Sequence, residues 1–192
     1  MLLGVSILLS YLIGSISFSY LTAHVLKGID IREHGSGNAG ATNTLRVVGK
    51  GPAILVFILD MIKGMAAVGI GYLLGGDPIT LMSSGIAAIV GHNWPVFLRF
   101  RGGKGIATTV GITLTLMFKG FWIIAIITVV IIFFTRYVSL GSLVFASGVP
   151  VIALVMDYPS PFFWLGLIIT FLAFLRHIDN IRRLLTGKER RI

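Results

Sequence analysis

Apolar runs alternate along the chain with short polar, glycine-rich interruptions. A membrane-crossing helix needs about 20 mostly apolar residues, within a range of about 17–25. Residues 2–25, 52–74 and 79–97 meet that requirement. Residues 106–118 and 121–135 follow as two shorter runs, then 140–156 and 161–175. Pro52 suits a helix start, and Gly75-Gly76-Asp77-Pro78 ends the second run. The pattern predicts an all-α, polytopic integral membrane helix bundle with seven transmembrane helices, or five if the two short runs are re-entrant or interfacial. Residues 1–192 read as a single membrane domain.

Composition supports this reading. Hydrophobic residues make up 56% of the 192 and charged residues 12%, with mean hydropathy +0.96. That excludes a disordered chain, a coiled coil and an ordinary soluble enzyme. The net charge is nevertheless +9. With seven spans, every cation except Lys63 and Lys119 falls on one side, and the positive-inside rule puts the N-terminus out and the C-terminus in the cytoplasm. Cysteine is absent, which removes disulfides, a thiol nucleophile and thiolate metal sites.

Asp60 and Lys63 lie inside the second run, three residues apart and so on one helix face. Charges at that depth are functional or are paired structural locks. Their reading here is a structural pair, with nothing else ionisable expected at that depth.

The polar interruptions carry the chemistry. Residues 35–46 contain Gly35, Gly37 and Gly40 among Ser36, Asn38, Thr42, Asn43 and Arg46. Glycines let successive N–H groups turn toward one anion, and an arginine adds charge. Residues 91–108 hold His92 and the run Gly102-Gly103-Lys104-Gly105 ahead of an apolar helix. A helix N-terminus preceded by glycines suits an anion, and Lys104 adds a point charge. A nucleotide is not implied, because Gly105 replaces the Ser or Thr of a Walker loop. Arg99 and Arg101 bind substrate or only set topology. Residues 176–189 place His177 and Asn180 on one helix face, with Glu189 as a salt-bridge partner. Arg182, Arg183, Arg190 and Arg191 suit an anionic lipid surface. Ser139 reads as a helix cap, and Ser142 as a cap or a ligand. Carboxylates are too few for magnesium-dependent phosphoryl transfer. No Gly-x-Ser-x-Gly elbow occurs. A cationic pocket abutting lipid suits a substrate with an anionic head and an apolar tail.

Taken in order, residues 35–46, 91–108 and 176–189 resemble the three cytoplasmic motifs of the bacterial acyl-phosphate-dependent glycerol-3-phosphate acyltransferases, and the resemblance covers essentially the whole chain. It implies transfer of an acyl chain from acyl phosphate to the 1-hydroxyl of glycerol 3-phosphate, giving lysophosphatidic acid and phosphate. It implies no cofactor, metal or nucleic acid, and a functional link to the enzyme that forms acyl phosphate. The expected location is the bacterial cytoplasmic (inner) membrane, multi-pass, with the active site on the cytoplasmic side. It assigns catalytic positions to Ser36, His177 and Asn180. Substrate and phosphate binding falls to Gly37, Asn38, Thr42, Asn43, Arg46, His92, Gly102, Gly103, Lys104 and Ser142, and a structural role to Glu189.

Both substrates carry phosphates, so their repulsion must be offset by Arg46, Lys104 and backbone dipoles. Ser36, Asn180 or backbone N–H groups are candidate donors to the tetrahedral oxyanion. No His-x-x-x-x-Asp pair occurs, which separates the chain from the soluble and CoA-using glycerolipid acyltransferases. Proton acceptance by an acyl-phosphate oxygen is the favoured route and His177 the rival base. The competing function is a small transporter for an anionic metabolite, which only Asp60 and Lys63 favour.

Overall fold

The computed structural model describes residues 1–192, which form helices and loops without strands, in two compact units divided after Ile112. The first unit contains α1 (Leu2–Gly14), α2 (Phe18–Lys27), α3 (Ala41–Val47), α4 (Lys50–Leu74), α5 (Pro78–Asn93) and the start of α6 (Ile106–Leu116). The second contains α7 (Phe118–Thr135), α8 (Val138–Val155), α9 (Ser160–Arg176) and α10 (Ile178–Leu185).

The helices are arranged inside-out relative to a soluble protein. On α1 the buried stripe is Ser6, Ser10 and Gly14, while Leu2, Leu8 and their apolar neighbours face outward. Leu73 is 82% exposed and Phe134 78%, which suits a lipid solvent and not water. Small residues let backbones touch. A Cβ on Gly14 would strike the Ala88 carbonyl of α5, and one on Gly91 would strike the Tyr11 carbonyl of α1. Gly64 of α4 abuts the Thr108 carbonyl of α6, and Gly111 the Met61 carbonyl. Hydroxyls stitch the same contacts: Ser6 Oγ lies 2.5 Å from Ser84 Oγ.

Five stretches are long and apolar enough to cross a membrane: Leu2–Lys27, Lys50–Leu74, Pro78–Leu98, Phe118–Thr135 and Val138–Val155. α9 qualifies only together with α10, across a 67° bend, and α6 is a shorter apolar helix. Several boundaries differ from the sequence expectation, and two of them change how the chain runs. The first run is not one unbroken helix: it breaks between Gly14 and Phe18, where Ser17 Oγ accepts a hydrogen bond from Tyr20 N and starts α2. The fifth begins at Phe118, not 121, because the chain turns at Met117 and Lys119-Gly120 already belong to the first helical turn.

In the second unit Pro150 sits inside α8 and cannot donate to the Ala146 carbonyl. The Thr170 hydroxyl of α9 lies 2.9 Å from that carbonyl and 2.9 Å from Gly166 O. Gly166 in turn packs on the Pro150 backbone, with no room for a Cβ. The proline's missing donor is thus replaced from the neighbouring helix. Thr170→Val should lower stability by about 1 kcal/mol, read as a lower Tm in detergent, whereas Thr170→Ser should keep the wild-type value.

Candidate active site

The first-unit loop between α2 and α3 is built on two side chains. Asp30 accepts from Arg32 N at 2.9 Å and pairs with the Arg32 guanidinium at 2.6 Å. Arg32 Nη1 then donates to Leu98 O at 2.8 Å, joining the first loop to the second. Asn43, buried at the start of α3, donates through Nδ2 to Ile31 O and His34 O and accepts from Ser36 N. Sequence reading grouped Asn43 with the phosphate ligands. Its amide N–H groups brace the loop from within. Ser36, Gly37 and Arg46 are exposed, and Asn38 and Thr42 half-buried. Ser36 and Gly37 are therefore held at the loop surface by a buried brace beneath them.

The glycines of the second loop are demanded by space. A Cβ on Gly102 would strike His92 O, and one on Gly103 would strike His92 Nε2 and come within 2.6 Å of Ala39 O. Gly105 has φ +78°, a backbone conformation side chains disfavour, immediately before α6. Gly103 N donates to His92 O at 3.0 Å. Lys104 is half-buried between these fixed points.

His92 does not stand at the surface alone. Its Nδ1 lies 3.1 Å from Lys63 Nζ, which is 2.9 Å from Asp60 Oδ1. The expectation that no other ionisable group shares the depth of Asp60 and Lys63 is therefore corrected. Positions 29 residues apart meet because one face of α4 packs on α5, and sequence spacing within one helix cannot reveal that.

In the second unit Glu189 is a hub. Its Oε1 accepts from Ser139 Oγ at 2.9 Å and Asn180 Nδ2 at 2.6 Å, and its Oε2 from Arg183 Nε at 2.8 Å. Ser139 is thus a Glu189 ligand and not a helix cap; Tyr137 holds the N-cap position of α8. Ser142 is buried and donates to Val138 O at 2.8 Å. His177 occupies the bend between α9 and α10, with Nδ1 2.8 Å from Ala173 O. A carbonyl only accepts, so Nδ1 carries a proton; a neutral ring then has its lone pair on Nε2. Sequence reading missed Arg32 as the link between loops; its only sequence signal was Asp30 two residues before it.

The profile of the family described as glycerol-3-phosphate acyltransferase matches residues 4–187. The chain belongs to that family. It is 47% identical over 193 residues to the glycerol-3-phosphate acyltransferase of Shouchella clausii, covering 97% of this chain and 94% of that protein. It is 48% identical over 189 residues to that of Halalkalibacterium halodurans, covering 95% and 92%. Among solved structures it is similar to the crystal structure of PlsY (YgiH), an integral membrane glycerol 3-phosphate acyltransferase, in its glycerol 3-phosphate form. The TM-score is 0.94 at 37% identity, over 99% of this chain and 95% of that one. The lysophosphatidic acid form of PlsY gives a TM-score of 0.92 at the same identity and coverage. The chain is an acyltransferase of phospholipid synthesis and an integral membrane protein.

Burial alone would push the Glu189 carboxyl up. Hydrogen bonds from Asn180, Arg183 and Ser139, with the Arg183 charge, outweigh it and hold the carboxyl below its ordinary value. A depressed carboxylate stabilises the fold at neutral pH, and that contribution is lost as pH falls through the depressed value. The wild-type Tm should therefore fall on acidification below the ordinary value of 4.5. Glu189→Gln should have a lower Tm at pH 7 and a flatter acid dependence, measured by thermal unfolding across that range.

Proposed function

We propose that this glycerol-3-phosphate acyltransferase takes its acyl group from acyl phosphate and delivers it to the 1-hydroxyl of glycerol 3-phosphate. The hydroxyl oxygen attacks the acyl carbonyl carbon and a tetrahedral oxyanion forms. The carbon–oxygen bond to phosphorus then breaks. Phosphate leaves with the electron pair, the hydroxyl proton passes to a phosphate oxygen, and lysophosphatidic acid is the other product. The donor is already activated, so the protein's work is positioning and electrostatics.

The braced glycine loop Gly102–Gly105 before α6 carries this reading. Gly103 N–H is committed to His92 O, so this backbone is a fixed seat for Lys104, whose charge suits an anionic head. In this proposal Gly102, Gly103 and Lys104, seated by His92, hold the glycerol phosphate. Gly37, Asn38, Thr42 and Arg46 bind anionic oxygens around the first loop, Asn43 keeping that loop in shape. Ser36 and Asn180 are each assigned as catalytic hydrogen-bond donors. Ser142 contributes a hydroxyl to substrate binding. Glu189 holds Asn180 at 2.6 Å and so fixes the direction of its amide. His177, with its lone pair on Nε2, accepts from the attacking hydroxyl and orients it, while the acyl-phosphate oxygen takes the proton.

The single domain of residues 1–192 has seven spans, the N-terminus outside and the C-terminus in the cytoplasm. It lies in the bacterial cytoplasmic (inner) membrane with residues 35–46, 91–108 and 176–189 on the cytoplasmic side. Acyl phosphate comes from a separate enzyme that forms it. No cofactor takes part.

The test is lysophosphatidic acid formation with phosphate release by the purified protein given acyl phosphate and glycerol 3-phosphate, and lysophosphatidic acid formation when acyl-CoA or acylated acyl carrier protein replaces that donor. Product with acyl phosphate as the only effective donor is expected; none with it refutes the donor assignment. In the same assay His177→Ala should lower kcat by about tenfold. Loss of several decades at unchanged KM, the scale of a missing general base, would put the proton on His177.

A further inference from the structure

The reaction leaves the buried Asp60–Lys63 pair without a task, and its surroundings supply one. Lys63, 3% exposed, carries three N–H donors and no acceptor. Three electron-rich atoms surround its Nζ: Asp60 Oδ1 at 2.9 Å as an ion pair, Ile16 O at 2.8 Å, and His92 Nδ1 at 3.1 Å. The Ile16 carbonyl is available because the chain breaks between α1 and α2. The Phe18 ring centroid lies 5.7 Å from the same Nζ, a cation–π contact.

The ammonium, at 3.1 Å the nearer neighbour of Nδ1, favours a lone pair there, which places the proton of a neutral His92 ring on Nε2. That nitrogen lies against Gly103, on the side where Ala39 O also approaches. The backbone carbonyl of the same histidine accepts from Gly103 N. His92 therefore seats Gly103 through both its ring and its main chain. Asp60, 3.5 Å from His92 Nδ1, supplies the countercharge that a buried ammonium needs.

We propose that the Asp60–Lys63 pair is a positioning device: it fixes the proton of His92 on Nε2, and thereby the seat of the Gly102–Gly103–Lys104 loop and its affinity for the glycerol phosphate head. The proposal rests on the assignment of that loop to glycerol 3-phosphate. A pair that merely locked α4 to its neighbours would affect stability and leave affinity alone.

The experiment is nitrogen NMR of the full-length protein labelled with ¹⁵N-histidine, combined with kinetics. In the wild type, His92 should show an unprotonated Nδ1 and a protonated Nε2, opposite to His177, and glycerol 3-phosphate should shift the Nε2 signal. A protonated Nδ1 on His92, or an Nε2 signal that ignores bound glycerol 3-phosphate, overturns the proposal whether or not any variant folds. The neutral double variant Asp60→Asn/Lys63→Met should mix the His92 tautomers. It should raise KM for glycerol 3-phosphate about tenfold with kcat within about twofold. An unchanged KM with a lowered Tm would reduce the pair to a structural lock. Failure of phosphate release in the donor assay would remove the loop's assignment and leave the tautomer readout standing, so the two failures are separable.

Discussion

A polar atom within a bilayer has no water to bond, so each must find its partner inside the protein. Much of this architecture follows from that constraint. On α1, Ser6, Ser10 and Gly14 turn inward while Leu2 and Leu8 turn out. Ser6 meets Ser84. The carbonyl orphaned by Pro150 is met by Thr170, and the carbonyl left at the break after α1 is met by Lys63. Irregular backbone is tolerated in these places because a side chain from a neighbouring helix completes it.

The same economy shapes the chemistry. Main-chain N–H groups are fixed donors, and they can be aimed only where the chain bends sharply and side chains do not intrude. Gly102 and Gly103 provide that closeness, and Asn43 keeps the first loop in one shape without offering its own amide hydrogens elsewhere. The two histidines hold opposite tautomers for local reasons. His177 faces a carbonyl through Nδ1 and His92 faces an ammonium through Nδ1. One therefore presents a lone pair on Nε2 and the other a proton. Acyl transfer from an activated donor asks for such placed donors and acceptors more than for a strong base.

Hydropathy made the helices legible, since lipid selects long apolar runs and charged loops select sides. It was silent on the break at Ser15–Ser17, because that stretch has no proline and serines also stand inside the unbroken helix at Ser6 and Ser10. Residue type marked the glycine loops as anion sites. It could not separate a ligand from a brace, since Asn43 and Asn180 carry the same amide and only their neighbours differ. The meeting of His92 with Lys63 depends on which faces of α4 and α5 touch, information that no periodicity within one helix contains. Ser139 was ambiguous for a related reason. A hydroxyl at a helix start caps that helix unless a carboxylate from elsewhere reaches it, and Glu189 does.

The central claim is that the bond broken joins the acyl carbon to the bridging oxygen, with glycerol 3-phosphate as nucleophile. Acyl phosphate labelled with ¹⁸O at that bridging position tests it directly, by mass spectrometry of the products after a single turnover. Attack at the acyl carbon places the label wholly in the released phosphate and leaves lysophosphatidic acid unlabelled. Label recovered in a free fatty acid, with phosphorus transferred to another acceptor, would contradict the account.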